Sequence, residues 1–199
     1  MASGTLRFVP LAYPDPPLAD DVVCVRPWRG TDLATVVESD GWFVVNAADA
    51  SWTGHERSGR WVNFEGPEHP FREFGIGIHV LQPGEPNGKY HAEEVQEDFL
   101  VLSGECICLI EGEERRLKAW DFVHCPPGTL HIFVGAGDGP CAILMAGTRR
   151  PGRAIHYPAD GLAARYGASA PFETDKPPEA YSDWTPEDRI MRADWPPST

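Results

Sequence analysis

Between Phe74 and Met145, short runs of β-branched and aromatic residues recur between turn signals: "FGIGIHVL", "DFLVLSG", "ECICLIEG", "DFVHCPP", "HIFVGAG" and "CAILMAG". Short strands at even spacing, broken by Gly and Pro, predict an all-β sandwich or barrel of antiparallel strands. Helical patterns are few and fall after this region. In "ADGLAARYG", Asp160 is placed as an N-cap and Gly167 as a C-terminal stop. In "TPEDRIMR", Thr185 is placed as a cap, with Pro186 at the first helical position and acids in the first turn.

The ends of the chain differ from its middle. The first 70 residues carry Trp28, Trp42, Trp52 and Trp61 among prolines and glycines. So much aromatic area is costly to leave in water, so these residues are expected to wrap the barrel as extra strands and loops. The tail "ETDKPPEAYSDWTPEDRIMRADWPPST" is polar and Pro-rich, with Tyr181, Trp184 and Trp195 spaced as anchors of a docked arm or dimer clasp. A lid over the site is the alternative. No internal repeat is evident, so the expectation is one domain: an extension over 1–70, a barrel over 71–150 and an arm with short helices over 151–199.

Charge and cysteine usage narrow the function. The 199 residues hold 30 acidic and 17 basic side chains, a net charge of −13. Such a surface repels phosphate backbones and anionic headgroups, which argues against nucleic acid and membrane partners. No apolar run approaches the roughly 20 residues that cross a bilayer. The start, "MASGTLRFVPLAYPDPP", lacks a basic stretch followed by an apolar one, so a cytoplasmic location is expected. Five cysteines without regular spacing are read as reduced thiols. Cys106 and Cys108 share one face of a strand as small core side chains.

Two stretches carry the chemistry. "YHAEEVQEDFLVLSG" offers His91, Glu93 and Glu97 before Gly104, and "DFVHCPPGTLH" ends in His131 after a Pro126-Pro127-Gly128 turn. Two imidazoles and a carboxylate suffice to hold a catalytic metal while leaving positions for water, O₂ or substrate; structural zinc normally closes a shell of four protein ligands. His91 and Glu93, two apart on a strand, share a face. Glu97 has the same parity, but six extended residues span about 20 Å, too far for one metal shell. The chain must therefore turn within "AEEVQ", after which Glu97, Phe99 and Val101 line the inner face of the next strand. His131 arrives later with Phe133 beside it, and a small barrel brings these groups to one end of its interior.

These residues resemble the cupin superfamily. Its first motif runs Gly, five residues, His, one residue, His, three or four residues, Glu, six residues, Gly. His91, Glu97 and Gly104 match it, Glu93 stands where the second His is expected, and the leading glycine is off by one at Gly84. Its second motif runs Gly, five residues, Pro, one residue, Gly, two residues, His, three residues, Asn. Pro126, Gly128 and His131 match, while Trp120 and Gly135 replace its Gly and Asn. The match covers roughly residues 74 to 147 and implies a double-stranded β-helix barrel, usually a homodimer, with a divalent metal inside. "YHAEEVQEDF" is further similar to the site of 3-hydroxyanthranilate dioxygenases, which implies Fe(II) held by His91, Glu97 and His131. That family's two substrate arginines fall at Asn87 and Gly135, so the metal shell carries over and the substrate does not. Lys89, on the strand face of His91, is the candidate for one substrate cation.

Each residue also has a plainer reading. His55, His69, His79 and His156 read as surface or satisfied core histidines. His124 could point inward, as an outer partner of the ligands or as a core residue. Glu97 is expected as the carboxylate ligand, because an acid on an apolar inner face needs a cation to offset its desolvation. Glu93 is read as a fourth ligand, a general base or a rim residue. The resulting expectation is one divalent metal per chain, Fe(II) favoured over Zn, Mn or Ni, in a dioxygenase-type oxidoreductase acting on a small molecule, with Glu93 and Lys89 as candidate catalytic groups. The alternatives are a redox-neutral isomerase, epimerase or decarboxylase and a non-catalytic binding barrel.

Overall fold

All six apolar runs of the central segment form strands. The computed structural model describes residues 41–66, 69–184 and the backbone of 189–191. The strands are β1 (Trp52–His55), β2 (Gly59–Asn63), β3 (Phe74–Leu81), β4 (Ala92–Glu93), β5 (Glu97–Ser103), β6 (Glu105–Ile110), β7 (Glu113–Lys118), β8 (Phe122–Cys125), β9 (His131–Ala136), β10 (Cys141–Thr148), β11 (Ile155–His156) and β12 (Arg189–Met191), with short helices α1 (Gly161–Ala164) and α2 (Pro177–Ala180). They make a seven-stranded sheet in the order β12-β1-β2-β3-β10-β5-β8, a three-stranded sheet β7-β6-β9 and the pair β11-β4. Every named strand pairing is antiparallel. This is the antiparallel double-stranded β-helix in its open form, two sheets that are not joined into one closed cylinder.

Alternation along β10 sets the layers. Cys141 and Ile143, with Met145 beside them, face the interior with Leu81 of β3, Phe99 and Val101 of β5, Cys106 and Cys108 of β6 and Phe133 of β9. Ala142 and Leu144 face the other way, onto Trp52, Val62, Ile78 and Val80. A period of two thus builds one core between the sheets and a second under the N-terminal strands. Trp52 is fully buried there, with its indole N–H donating to the Ala47 carbonyl at 2.8 Å. A third apolar cluster, of Tyr90, Leu109, Ile132, Ala163 and Ala168, seats the start of the C-terminal arm on the outside of the small sheet.

Two turns explain the strand succession. Gly104 has φ +72°, and a Cβ there would lie 2.4 Å from the Pro140 carbonyl oxygen, so this corner between β5 and β6 admits only glycine. Glu111 (φ 48°) and Gly112 (φ 76°) form the two-residue loop of the β6–β7 hairpin, as type I′ geometry requires. β7 carries no apolar run; "EERRLK" is an exposed edge strand held by its ladder to β6. The four cysteines among the described residues are free and buried, and burial pushes the Cys108 and Cys125 thiols up to about 12.

Three expectations are corrected or fall outside the described residues. Arg189–Met191 is not helical: it pairs with β1, Trp52 opposite Met191, because the outer edge of β1 offers backbone groups that a strand can satisfy. Thr185, Pro186, Trp28 and Trp195 lie outside the described residues. Trp42 is exposed rather than packed on the barrel. Asp160 does cap α1, accepting from the Ala163 N–H at 2.7 Å, and Gly167 (φ +68°) follows its end. No described helix is long and apolar enough to cross a membrane.

Candidate metal centre

His91 and His131 are direct cross-strand neighbours. The His131 N–H donates to the His91 carbonyl at 2.9 Å and the reverse bond is 3.3 Å, so the imidazoles stand on one face with ring centroids 5.1 Å apart. Each ring is fixed by its own backbone. His91 Nδ1 lies 2.7 Å from the Lys89 carbonyl and His131 Nδ1 lies 3.0 Å from the Thr129 carbonyl. A carbonyl only accepts, so each proton sits on Nδ1 and each Nε2 keeps a free lone pair.

Glu97 reaches the pair because the chain turns just before it. Gly128 N–H donates to the Glu93 carbonyl at 2.7 Å, Glu94 N–H to the Ala154 carbonyl at 3.1 Å and Thr148 N–H to the Gln96 carbonyl at 3.0 Å; β5 then begins at Glu97. Its Oε2 lies 3.4 Å from His131 Nε2. The three residues offer donor atoms that all lie within 4.8 Å of one another.

Burial sets the charges. It lowers His131 to about 4, helped by His91 and opposed by the Thr129 carbonyl. It also lowers His91, against the Lys89 carbonyl and the Glu93 charge. Glu97 is raised to about 7 by burial and by Glu93, with Arg153 opposing. Two neutral imidazoles with aimed lone pairs, beside a carboxylate whose charge lacks compensation, form a donor set that fits a divalent cation.

The other candidates stand elsewhere. Glu93 is outside this cluster: its Oε2 accepts from Arg153 Nε at 2.5 Å. Lys89 does not share the face of His91, because residues 87–90 are not in a strand and alternation does not hold there. Its fully buried Nζ is 2.9 Å from Asp183 Oδ1, 2.8 Å from the Ser169 carbonyl and 4.9 Å from the Trp184 ring centroid. His124 points outward and is exposed, with Nδ1 2.6 Å from Asp98 Oδ1, because the alternate residues Val123 and Cys125 take the inner face of β8. His79 is a satisfied core histidine, 2.6 Å from the Ser58 carbonyl, held down to about 4 by burial. His156 pairs with Asp175 at 2.8 Å, His69 bridges backbone to Gly66, and His55 stacks on Trp184 at 5.2 Å.

The sequence model of the cupin domain family matches residues 77–147, the stretch that holds all three donors. Residues 77–147 form a cupin domain. Solved structures are similar to this chain over about half its length. A sugar phosphate isomerase from a cupin superfamily of Silicibacter pomeroyi is 26% identical, with a TM-score of 0.45, over 49% of this chain and 64% of its own. The DMSP lyase DddQ from Ruegeria pomeroyi is 23% identical, TM-score 0.40, over 48% of this chain and 49% of its own. A cupin 2 domain-containing protein from Halorhodospira halophila is 17% identical, TM-score 0.43, over 55% and 75%. No curated protein matches the chain.

The departures from the cupin motifs have physical readings. Trp120, at a motif glycine position, is exposed with φ +75°, the left-handed region that favours glycine. Gly135 allows a close backbone approach: a Cβ there would lie 2.2 Å from the Gln82 carbonyl oxygen, so no arginine fits at this position. Asn87 fastens β9, its Oδ1 accepting from Phe133 N–H at 2.8 Å.

A cavity of about 930 Å³ opens from the three donors. Trp61, Phe99 and Met145 of the barrel line it together with Tyr181 and Trp184 of the C-terminal arm. Sequence reasoning did not find Arg153, Tyr157 or Trp61 as neighbours of the site. Tyr157 is buried with its ring 5.5 Å from that of His91, and burial raises its hydroxyl pKa. None of the three lies in a motif or periodic pattern that would single it out.

Proposed function

We propose that this cupin is a metal-dependent oxidoreductase of the dioxygenase type, with one Fe(II) per chain held by His91, Glu97 and His131 and a small-molecule substrate in the adjoining cavity. The observation that carries the reading is the count of donors: two imidazoles and one carboxylate converge, and the fourth candidate, Glu93, is paired with Arg153 instead. Two histidines and one carboxylate are the donor set of non-haem iron oxygenases. Iron bound there would supply the redox chemistry. The chain's own part is orientation. The Lys89 and Thr129 carbonyls hold the rings and the protons on Nδ1, and Arg153 holds the Glu93 carboxylate, whose charge acts on Glu97.

The test is oxygen uptake by protein loaded with Fe(II) under anaerobic conditions and then given catechols, aminophenols or 1,3-diketones. Uptake above that of iron alone with at least one class is expected. No uptake with any of them would remove the main support for this reading. Turnover under strict anaerobiosis with zinc, manganese or nickel would assign the site to redox-neutral Lewis-acid chemistry instead.

A further inference from the structure

Resting on the metal-site reading above, we infer that the part of the substrate that extends away from the metal is an uncharged flat ring, and that the cavity rejects a carboxylate, phosphate or ammonium group at that end. The cavity has two kinds of wall. Trp61, Phe99 and Met145 present aromatic and thioether surface from the barrel, and Tyr181 and Trp184 present aromatic surface from the arm. Rings bound between aromatic walls gain from burial and from offset or edge-to-face contacts.

Charge selects the rest. Among the described residues lining the cavity there is no lysine or arginine, and the one carboxylate, Glu97, belongs to the metal cluster. The basic residues nearby are directed at acids. Lys89 bonds Asp183 at 2.9 Å and Arg57 lies 4.0 Å from the same carboxylate. Arg149 pairs with Glu65, and Arg153 with Glu93 at 2.5 Å. An anionic ring substituent would therefore meet, among the described lining, hydroxyl, amide and imidazole groups such as Ser58, Asn63, Ser182 and His55 but no guanidinium or ammonium to offset its desolvation, inside a chain of net charge −13. An ammonium would fare no better, since Glu97 belongs to the donor cluster and no other carboxylate is among the described residues lining the cavity.

The same arrangement makes Lys89 a positioning residue. Its backbone N–H donates to the Tyr181 hydroxyl at 3.1 Å while its Nζ holds Asp183, so one residue fixes both aromatic members of the arm wall, Tyr181 directly and Trp184 through the ring contact at 4.9 Å. Tyr181 and Trp184 meet edge to face at 5.1 Å.

The experiment uses the full chain loaded with zinc, which is redox-inert, and three probes that share one metal-facing end: methylcatechol, protocatechuate and dopamine, held anaerobically and followed by calorimetry. Methylcatechol should bind at least about tenfold more tightly than the other two. In the metal-free protein p-cresol should likewise exceed p-hydroxybenzoate. Trp184→Ala should weaken methylcatechol by about fivefold or more and leave zinc stoichiometry unchanged. Equal or tighter binding of either charged probe, or no binding of methylcatechol and p-cresol, would overturn the inference. Iron-loaded protein that binds methylcatechol in this order but takes up no O₂ would sink the oxidoreductase reading alone. Oxygen uptake that favours protocatechuate would sink the inference alone.

Discussion

The two walls of the cavity are built in opposite ways. The metal-side wall is short-range: each histidine ring is held by the carbonyl two residues before it, and the two rings are brought together by one reciprocal backbone pair. The arm-side wall is long-range: Tyr181 and Trp184 are held through Lys89, some ninety residues away, by a buried ammonium gripping Asp183. The first wall is part of the sheet ladder and shares the stability of the core. The second depends on the ion pairs of Asp183 and on the ring contacts of Tyr181 and Trp184, so substitutions there should leave the three donors undisturbed.

Substitutions that separate the two walls test this difference. The largest effect belongs to His131→Ala, which should lower metal affinity by about 100-fold or more while the fold survives, because Phe99, Val101 and Phe133 already pack the interior. Metal titration alongside circular dichroism checks both halves. Next comes Asp183→Ala, which leaves a buried ammonium without its counter-charge. With Asp183 itself 44% exposed, a loss of about 2 kcal/mol is expected, below the range of fully buried pairs, with metal affinity unchanged. Denaturant unfolding measures it, and an equal fall in metal affinity would mean that the walls are not separate.

The pH dependence of metal binding isolates the metal-side wall. Glu97, at about 7 without metal, must lose its proton to bind, so affinity should fall about tenfold per unit below pH 7 and level off above it. His131, at about 4, adds nothing until far lower pH. On folding of the metal-free chain the same carboxyl acts with the opposite sign. Its pKa is raised from 4.5, so its stabilising contribution is full below that value and is lost as pH rises through about 7. The smallest effect lies outside both walls. Trp120→Gly should stabilise the chain by about 0.5 kcal/mol, the left-handed penalty of roughly 1–2 kcal/mol less the roughly 0.5–1 kcal/mol that glycine adds to unfolded-state entropy. A thermal melt reads it.

The same contrast governs what could be read from the sequence. The strands of the central segment and the His91, Glu97 and His131 convergence were legible because they rest on parity, turn residues and motif spacing, all of which are local. The reversal before Glu97 followed from a distance argument alone. β7 was not legible, since its pairing comes from the Glu111-Gly112 loop and not from its side chains. Arg189–Met191 departs from the helical expectation because a capping pattern describes local preference, and the ladder to β1 overrides it. Lys89 departs from the expected face because residues 87–90 are not a strand and alternation does not reach them, and its partner Asp183 lies far along the chain, outside any local pattern.

Metal stoichiometry in Glu97→Ala and Glu93→Ala, prepared with the parent without air, tests the centre most directly. The donor geometry predicts about one ion per chain in the parent and in Glu93→Ala, and almost none in Glu97→Ala. Metal retained by Glu97→Ala and lost from Glu93→Ala would contradict it.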